Sequence, residues 1–210
     1  MKHLADACAE LAAGIKGFMD KEEGRRLFEI AIEASTVAPC LEIGSYCGKS
    51  AIFLGIACRE TGSILYSVDH HRGSEEQQPG EEYFDPELFN PILFRVDTLT
   101  AFRNTLKTAG LEETVIPIVC RSEVAARLWR TPLGLVFIDG GHSYKAAAAD
   151  YRNWSKHIVK SGYLMIHDIY KDPEKGGQAP YRVYQEALAS GLFKEISMTG
   201  SLGVLRRIAL

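Results

Sequence analysis

The stretch Cys40-Leu41-Glu42-Ile43-Gly44-Ser45-Tyr46-Cys47-Gly48-Lys49-Ser50 carries an apolar run into an acid and then into glycines, just where a helix begins. This is the first strand-to-helix turn of a nucleotide-binding α/β sheet. Gly44 lets backbone come close to a ligand without Cβ interference, and Gly48 lets the following helix start close to the strand. A dinucleotide fingerprint, G-x-G-x-x-G, needs a second glycine that makes room for a pyrophosphate, and here that slot holds Tyr46. The turn spares no such room.

Upstream of this turn, residues from about 3 to 35 read as two helices. The second carries Leu27, Ile30, Ala31 and Ala34 at helical spacing behind a cap at Asp20. They are expected to cover one sheet edge or the cofactor mouth. Downstream, β-rich runs at 37–43, 64–68, 115–120, 135–138 and 163–166 alternate with helical segments at 48–59, 99–109, 122–129, 144–158 and 181–190. Such alternation implies a parallel sheet with right-handed crossovers and helices on both faces. Runs at 193–198 and 203–208, separated by Thr199-Gly200-Ser201-Leu202, close the sheet as an antiparallel hairpin. The expectation is an α/β, Rossmann-like, seven-stranded and mostly parallel sheet in one domain spanning 1–210, with an N-terminal helical extension over 1–36. One connection is too long for scaffolding. The segment 70–91, rich in glycine and charge, leaves the carboxyl end of a strand, where ligands of open α/β sheets bind, and reads as a candidate lid.

With 210 residues the chain is large enough for a substantial core, and its formal charge of −3 is spread along the sequence. That leaves no electrostatic footprint for nucleic acid or an anionic membrane and favours a small-molecule substrate. The five cysteines are odd in number, scattered and without C-x-x-C, which argues against a disulfide framework or a zinc knuckle and for a reducing cytoplasm. No signal-peptide core and no membrane-length apolar run is present. The apolar N-terminal helices make a homodimer reasonable.

Two further strand ends carry chemistry. Asp69 follows the apolar run Ile64-Leu65-Tyr66-Ser67-Val68, where a carboxylate can accept from both ribose hydroxyls of an adenosine ligand or serve as a strand-end turn residue. Ser122 follows the next strand and can cap its helix, contact adenine, or both. The strongest signal is Leu135-Val136-Phe137-Ile138 running into Asp139-Gly140-Gly141-His142-Ser143-Tyr144, paired with Gly162-Tyr163-Leu164-Met165-Ile166-His167-Asp168. Two buried runs each deliver ionisable residues at their carboxyl ends, and burying acids there needs a purpose or a partner. Asp150, on the helix between them, reads as a helix-packing acid.

The pattern F-I-D-G-x-H-x-Y, a helix with D and W, then G-Y-L-x-x-H-D resembles the S-adenosylmethionine (SAM)-dependent O-methyltransferases related to the macrolide-sugar and rhamnosyl methyltransferases. It is similar also to the cephalosporin-hydroxylase-associated methyltransferase-like proteins. The turn E-x-G-x-x-x-G resembles the first motif of the class I methyltransferases, and the match covers about residues 37 to 170. The resemblance implies transfer of a methyl group from SAM to a hydroxyl oxygen of a small molecule. It places Glu42, Gly44, Ser45, Gly48 and Asp69 on cofactor positions, Ser122 on the adenine side, and Asp139 beside the cofactor as well as on a magnesium-binding position. His167 and Asp168 fall on the paired metal ligands, and His142 falls where the catechol-type enzymes carry a lysine general base. The relatives' pair is Asp-Asn or Asp-Asp. Replacing its first oxygen ligand by His167 makes the site softer than magnesium prefers and opens it to manganese, iron, zinc or no metal. A catalytically silent SAM-binding module and an NAD-type oxidoreductase are the alternatives. Tyr46 and the closing hairpin speak against the latter.

Overall fold

The computed structural model describes residues 2–209. Helix α1 (Lys2–Ala13) buries Ala5, Cys8, Ala9 and Ala12, a stripe at helical spacing. Helix α2 (Lys21–Ser35) opens with a capping box, in which the Asp20 side chain accepts from the backbone and the Glu23 side chain accepts in return from Asp20 N. Then come β1 (Cys40–Ile43), α3 (Lys49–Glu60), β2 (Leu65–Val68), the small antiparallel pair β3 (Phe89–Asn90) and β4 (Arg95–Val96), and α4 (Leu99–Thr108). The chain continues through β5 (Val115–Ile118), α5 (Ser122–Ala126), β6 (Leu133–Ile138), α6 (Tyr144–Trp154), β7 (Ile158–Ile166), α7 (Ala179–Ala189), β8 (Phe193–Thr199) and β9 (Leu202–Arg207).

Seven strands form one sheet in the order β5-β2-β1-β6-β7-β9-β8, the first five parallel and β9 slotted antiparallel between β7 and β8. The predicted fold class is therefore the observed one. Strand alternation sends Cys40, Leu135, Phe137 and Met165 into a core with α1, α2, α3 and α4. Leu41, Ile43, Val136, Ile138 and Leu164 enter a second core with α5, α6 and α7, around the fully buried Trp154. After β1 the chain first builds leftward through β2 and β5, then returns to place β6 on the other side of β1. This makes the β1/β6 boundary the switch point where open α/β sheets leave a crevice. No helix among the described residues is long and apolar enough to cross a membrane.

Several boundaries differ from the sequence reading. β1 starts at Cys40 rather than 37, because α2 runs to Ser35 and a turn leaves Val37 exposed. β7 starts at Ile158 rather than 163, because Leu133 pairs with Ile158 across a bulge in the β6/β7 register. The long connection after β2 is not structureless. It holds two 3₁₀ turns (Glu75–Gln77 and Pro86–Leu88) and the β3/β4 pair, and its base is closed by Thr98 N donating to His71 O at 3.2 Å and a His71 Nδ1–Thr98 Oγ1 bond of 2.8 Å.

Gly24 sets the approach of α2 to α3, since a Cβ there would stand 2.4 Å from the Phe53 ring. In an exposed helix Gly→Ala stabilises by about 1 kcal/mol. Here Gly24→Ala is expected to destabilise by about 1–3 kcal/mol through overpacking, measured by denaturant unfolding. Unchanged or raised stability would show that α2 can slide away from α3 freely.

Candidate active site at the carboxyl ends of the central strands

A cavity of about 1590 Å³ opens at the carboxyl ends of the parallel strands. Its walls are the turn after β1, Asp69 after β2, Ser122 at the start of α5, the turn after β6 and the end of β7. The connector 14–20 and the insertion after β2 cover it.

Gly44 and Ser45 line the cavity on the β1 side. Gly44 has φ +85°, and a Cβ would stand 2.1 Å from the backbone oxygen of Asp139, so the glycine is required by the neighbouring β6 turn as much as by any ligand. Ser45 Oγ is buried without a hydrogen-bond partner, a free polar atom at the cavity wall. Asp69 braces the turn: one carboxylate oxygen accepts from Ser45 N at 2.9 Å and Tyr46 N at 3.0 Å, the other from His71 N at 2.7 Å. Asp69 thus fills the part of a turn aspartate, and since a carboxylate has about four lone-pair sites it still has acceptor capacity for a ligand in the cavity it lines. Ser122 lines the cavity too, its hydroxyl accepting from Trp154 Nε1 at 2.7 Å and bonding Asp150. Burial pushes the Asp150 carboxyl up to about 6.

Two expected cofactor residues sit elsewhere. Glu42 is fully buried, lies opposite Ser67 in the β1/β2 register, and accepts from Ser67 Oγ at 2.6 Å and Ser50 Oγ at 2.9 Å. It does not line the cavity. Strand alternation turns it into the sheet face under α3, away from the cofactor position that the resemblance implied. Gly48 is likewise outside the lining. With φ +92° it caps α3, where a Cβ would press on Thr105 and Phe102 at 3.1–3.2 Å.

The acceptor side is a cluster of carboxylates and imidazoles. Asp139, His142 and Asp168 each offer a ligand atom within 4.8 Å of the others, a set able to hold a cation. Asp168 has φ +56°, a left-handed turn that brings its carboxylate back over the strand end. His142 Nε2 lies 3.0 Å from Asp168 Oδ2, and its Nδ1 lies 2.9 Å from Glu76 Oε2 on the insertion. The metal set expected from sequence included His167 instead. That ring is buried, with Nε2 3.0 Å from Glu23 Oε2 and Nδ1 3.1 Å from Asp139 Oδ1, so both nitrogens already face carboxylates and His142 takes the third place.

Electrostatics follow from this packing. The hydrogen bond to Asp168, aided by Glu76 and opposed by burial, raises His142 to about 9. Burial works against charge on His167, but Asp139, Asp168 and Glu23 together raise it well above an ordinary histidine. Burial also opposes charge on Asp168, and the two imidazoles outweigh it, holding that carboxyl well below the usual range. For Asp139 burial wins and the carboxyl is raised. His142 is thus an imidazolium between two acids, not the neutral base expected from an unperturbed histidine. It can accept a proton only after it has given one up, which the turning of Asp168 or Glu76 to another partner favours.

The cover is joined across the cavity mouth. Lys16 pairs with Asp85 and, at 2.6 Å, with Glu87, while Phe18 packs against both Tyr46 and Tyr83. Sequence reasoning missed Glu76 and Glu23, whose partners lie 66 and 144 residues away.

A family model described as a methyltransferase domain matches residues 41–169. The chain belongs to the methyltransferase-domain family. Its fold is similar to that of a Podospora anserina methyltransferase solved with S-adenosylhomocysteine, at 14% identity over 99% of this chain and 88% of that one, with a TM-score of 0.67. The O-methyltransferase TomG of Streptomyces achromogenes, solved with SAM, gives 16% identity over 98% and 90% and a TM-score of 0.62. A Bacillus cereus O-methyltransferase in complex with S-adenosylhomocysteine gives 14% over 98% and 90%, with a TM-score of 0.63. At these identities the likeness to solved structures is one of fold.

Burial pushes the Glu42 carboxyl up to about 7 from 4.5, against the bonds from Ser67 and Ser50. A raised acid binds its proton more tightly in the folded state, so unfolding free energy falls as pH rises from about 4.5 to about 7 and stays lower above. Glu42→Gln removes that cost. In melts it is expected to exceed the wild type by about 1–3 kcal/mol at pH 8, with the gap closing toward pH 5. An equal gap at both pH values would mean that Glu42 is charged throughout.

Proposed function

We propose that this chain is a SAM-dependent O-methyltransferase acting on a hydroxyl of a small molecule. The observation that carries this reading is the meeting, in one cavity, of the β1 turn with Ser45 and Asp69 and the Asp139–His142–Asp168 cluster. SAM, when bound, supplies a methyl group on a cationic sulfur. The residues fit such a ligand: Ser45 Oγ is an unpaired buried polar atom at the wall, Asp69 has spare acceptor capacity, and Tyr46 fills the space a pyrophosphate would need. Carboxylates lining the cavity suit a cation.

On the acceptor side, Asp168 and Asp139 orient the acceptor hydroxyl; once a carboxylate partner is given up to the acceptor, His142 releases one of its two ring protons to water, and the freed ring nitrogen then takes the acceptor's proton. Most of the rate then comes from holding acceptor oxygen, methyl carbon and sulfur in line. Two carboxylates and an imidazole suit manganese, iron or zinc better than magnesium; a divalent ion held by Asp139, His142 and Asp168 would lower the acceptor's pKa and take over the part of base, since a ligated ring nitrogen cannot accept the proton. The insertion, clamped through Glu76 and Lys16, acts as the lid that excludes water. A cytoplasmic setting accords with the free thiols of Cys8, Cys40, Cys47, Cys58 and Cys120.

S-adenosylhomocysteine at about a hundredfold over its dissociation constant is expected to add roughly 2.7 kcal/mol to stability in thermal melts, and NAD nothing. A shift with NAD alone overturns the reading. Once an acceptor is identified, His142→Gln is expected to lower turnover by roughly a hundredfold to ten-thousandfold while keeping affinity for S-adenosylhomocysteine. Wild-type turnover in that variant would make His142 a lid latch only. Hydrogen exchange over residues 72–97 should slow when S-adenosylhomocysteine binds. Equal protection with and without it would make the insertion fixed scaffold.

A further inference from the structure

His167 occupies a position from which the strand end could offer a ligand, yet its ring is turned inward and held from behind. The carboxylate behind it comes from α2. Glu23 Oε2 meets His167 Nε2 at 3.0 Å, and both side chains are almost completely buried, at 6% and 2% exposure. Glu23 is itself fixed on all sides: Oε2 accepts from Asp20 N at 3.1 Å, and Oε1 accepts from Ser201 N at 2.6 Å and Ser201 Oγ at 2.9 Å. The β8–β9 turn presses on it so closely that a Cβ on Gly200 would stand 2.4 Å from Glu23 Oε1. On the other side of the ring, Nδ1 faces Asp139 Oδ1 at 3.1 Å and Asp168 Oδ2 at 3.4 Å. The imidazole therefore spans a rigid anchor and the two acids of the acceptor side.

We propose that Glu23 is a positioning residue: through His167 it fixes the orientation of Asp139 and Asp168 toward His142 and toward whatever those acids hold. The N-terminal helices thereby become part of the reaction centre's support rather than a cover alone. In metal sites, loss of the outer partner that orients a ligating side chain typically costs 10–100-fold in affinity; His167 is such a partner of Asp139 and Asp168, and Glu23 is the carboxylate that fixes its tautomer and ring orientation. Glu23→Gln is a sharp test. Its amide cannot accept from Ser201, Asp20 and His167 at once without setting a donor against a donor.

The proposal rests on the reading of Asp139, His142 and Asp168 as the acceptor side, and the experiment separates the two. Mn²⁺ is titrated into the full chain by electron paramagnetic resonance, and the ring resonances of His142 are followed by NMR without metal. The variants are Asp139→Asn, Glu23→Gln and Ile30→Val, the last loosening α2 without touching His167. The expected result is loss of Mn²⁺ binding in Asp139→Asn and roughly 10–100-fold weaker binding in Glu23→Gln. His142 resonances should be displaced in Glu23→Gln, with unchanged affinity for S-adenosylhomocysteine and wild-type behaviour of Ile30→Val. Wild-type Mn²⁺ affinity and unmoved His142 signals in Glu23→Gln overturn the proposal while leaving the site reading intact. So does an equal effect from Ile30→Val, which would make Glu23 merely structural. If the wild-type chain takes up no Mn²⁺, the cation reading falls and the His142 signals decide: displaced by Glu23→Gln they support positioning, unmoved they overturn it.

Discussion

The structure depends on neutralising acids that the sheet drives into its own strand ends. β6 and β7 are apolar and buried along their last residues, and each ends in a carboxylate, Asp139 and Asp168. Left unpaired, such a charge costs several kcal/mol. Two imidazoles, His142 and His167, are interleaved with them, and two more carboxylates, Glu76 and Glu23, close the array from the insertion and from α2. Three remote parts of the chain are thereby tied to one point. Removing Glu23 leaves the buried His167 short of a partner, whereas removing Glu76 frees the part-exposed His142 to water, so the tie to the helical extension is the costlier one to break.

Placement of that point follows from topology. The switch between β1 and β6 opens a crevice, and Gly44 allows the β1 turn to lie against the backbone of Asp139. The cofactor turn and the acid cluster therefore share a wall. Asp69 holds the turn in shape through two of its backbone N–H groups, those of Ser45 and Tyr46. Ser45 and the spare capacity of Asp69 remain for a ligand beside the cluster, which is the geometry that in-line transfer between two bound molecules requires.

Much of this was legible in the sequence, because apolar runs ending in Gly44, Asp69, Asp139 and Asp168 mark parallel strands and their ligand-facing ends without any tertiary information. The closing hairpin was legible for the same reason. What was not legible depends on register and on distance. The resemblance puts Glu42 at the cofactor, but alternation along β1 points it under α3, and only the pairing of Glu42 with Ser67 reveals its partners. The resemblance implies His167 as a metal ligand, yet Glu23 claims its outer nitrogen from 144 residues away. The sequence reading reached Asp20 as the cap and did not reach Glu23, three positions on. The insertion after β2 has no periodicity to betray its 3₁₀ turns, and its closure rests on contacts such as His71–Thr98 and Glu76–His142 that no local pattern encodes.

The central claim is that one cavity joins the β1 turn to the carboxylate–imidazole cluster as the two halves of a methyl-transfer site. A crystal structure of the protein grown with S-adenosylhomocysteine and Mn²⁺ tests it most directly. The expected density has the adenosyl ribose on Asp69, the thioether sulfur turned toward Asp139, His142 and Asp168, and a metal ion among those three side chains. Cofactor density outside this cavity, or a sulfur facing away from the cluster, would contradict it.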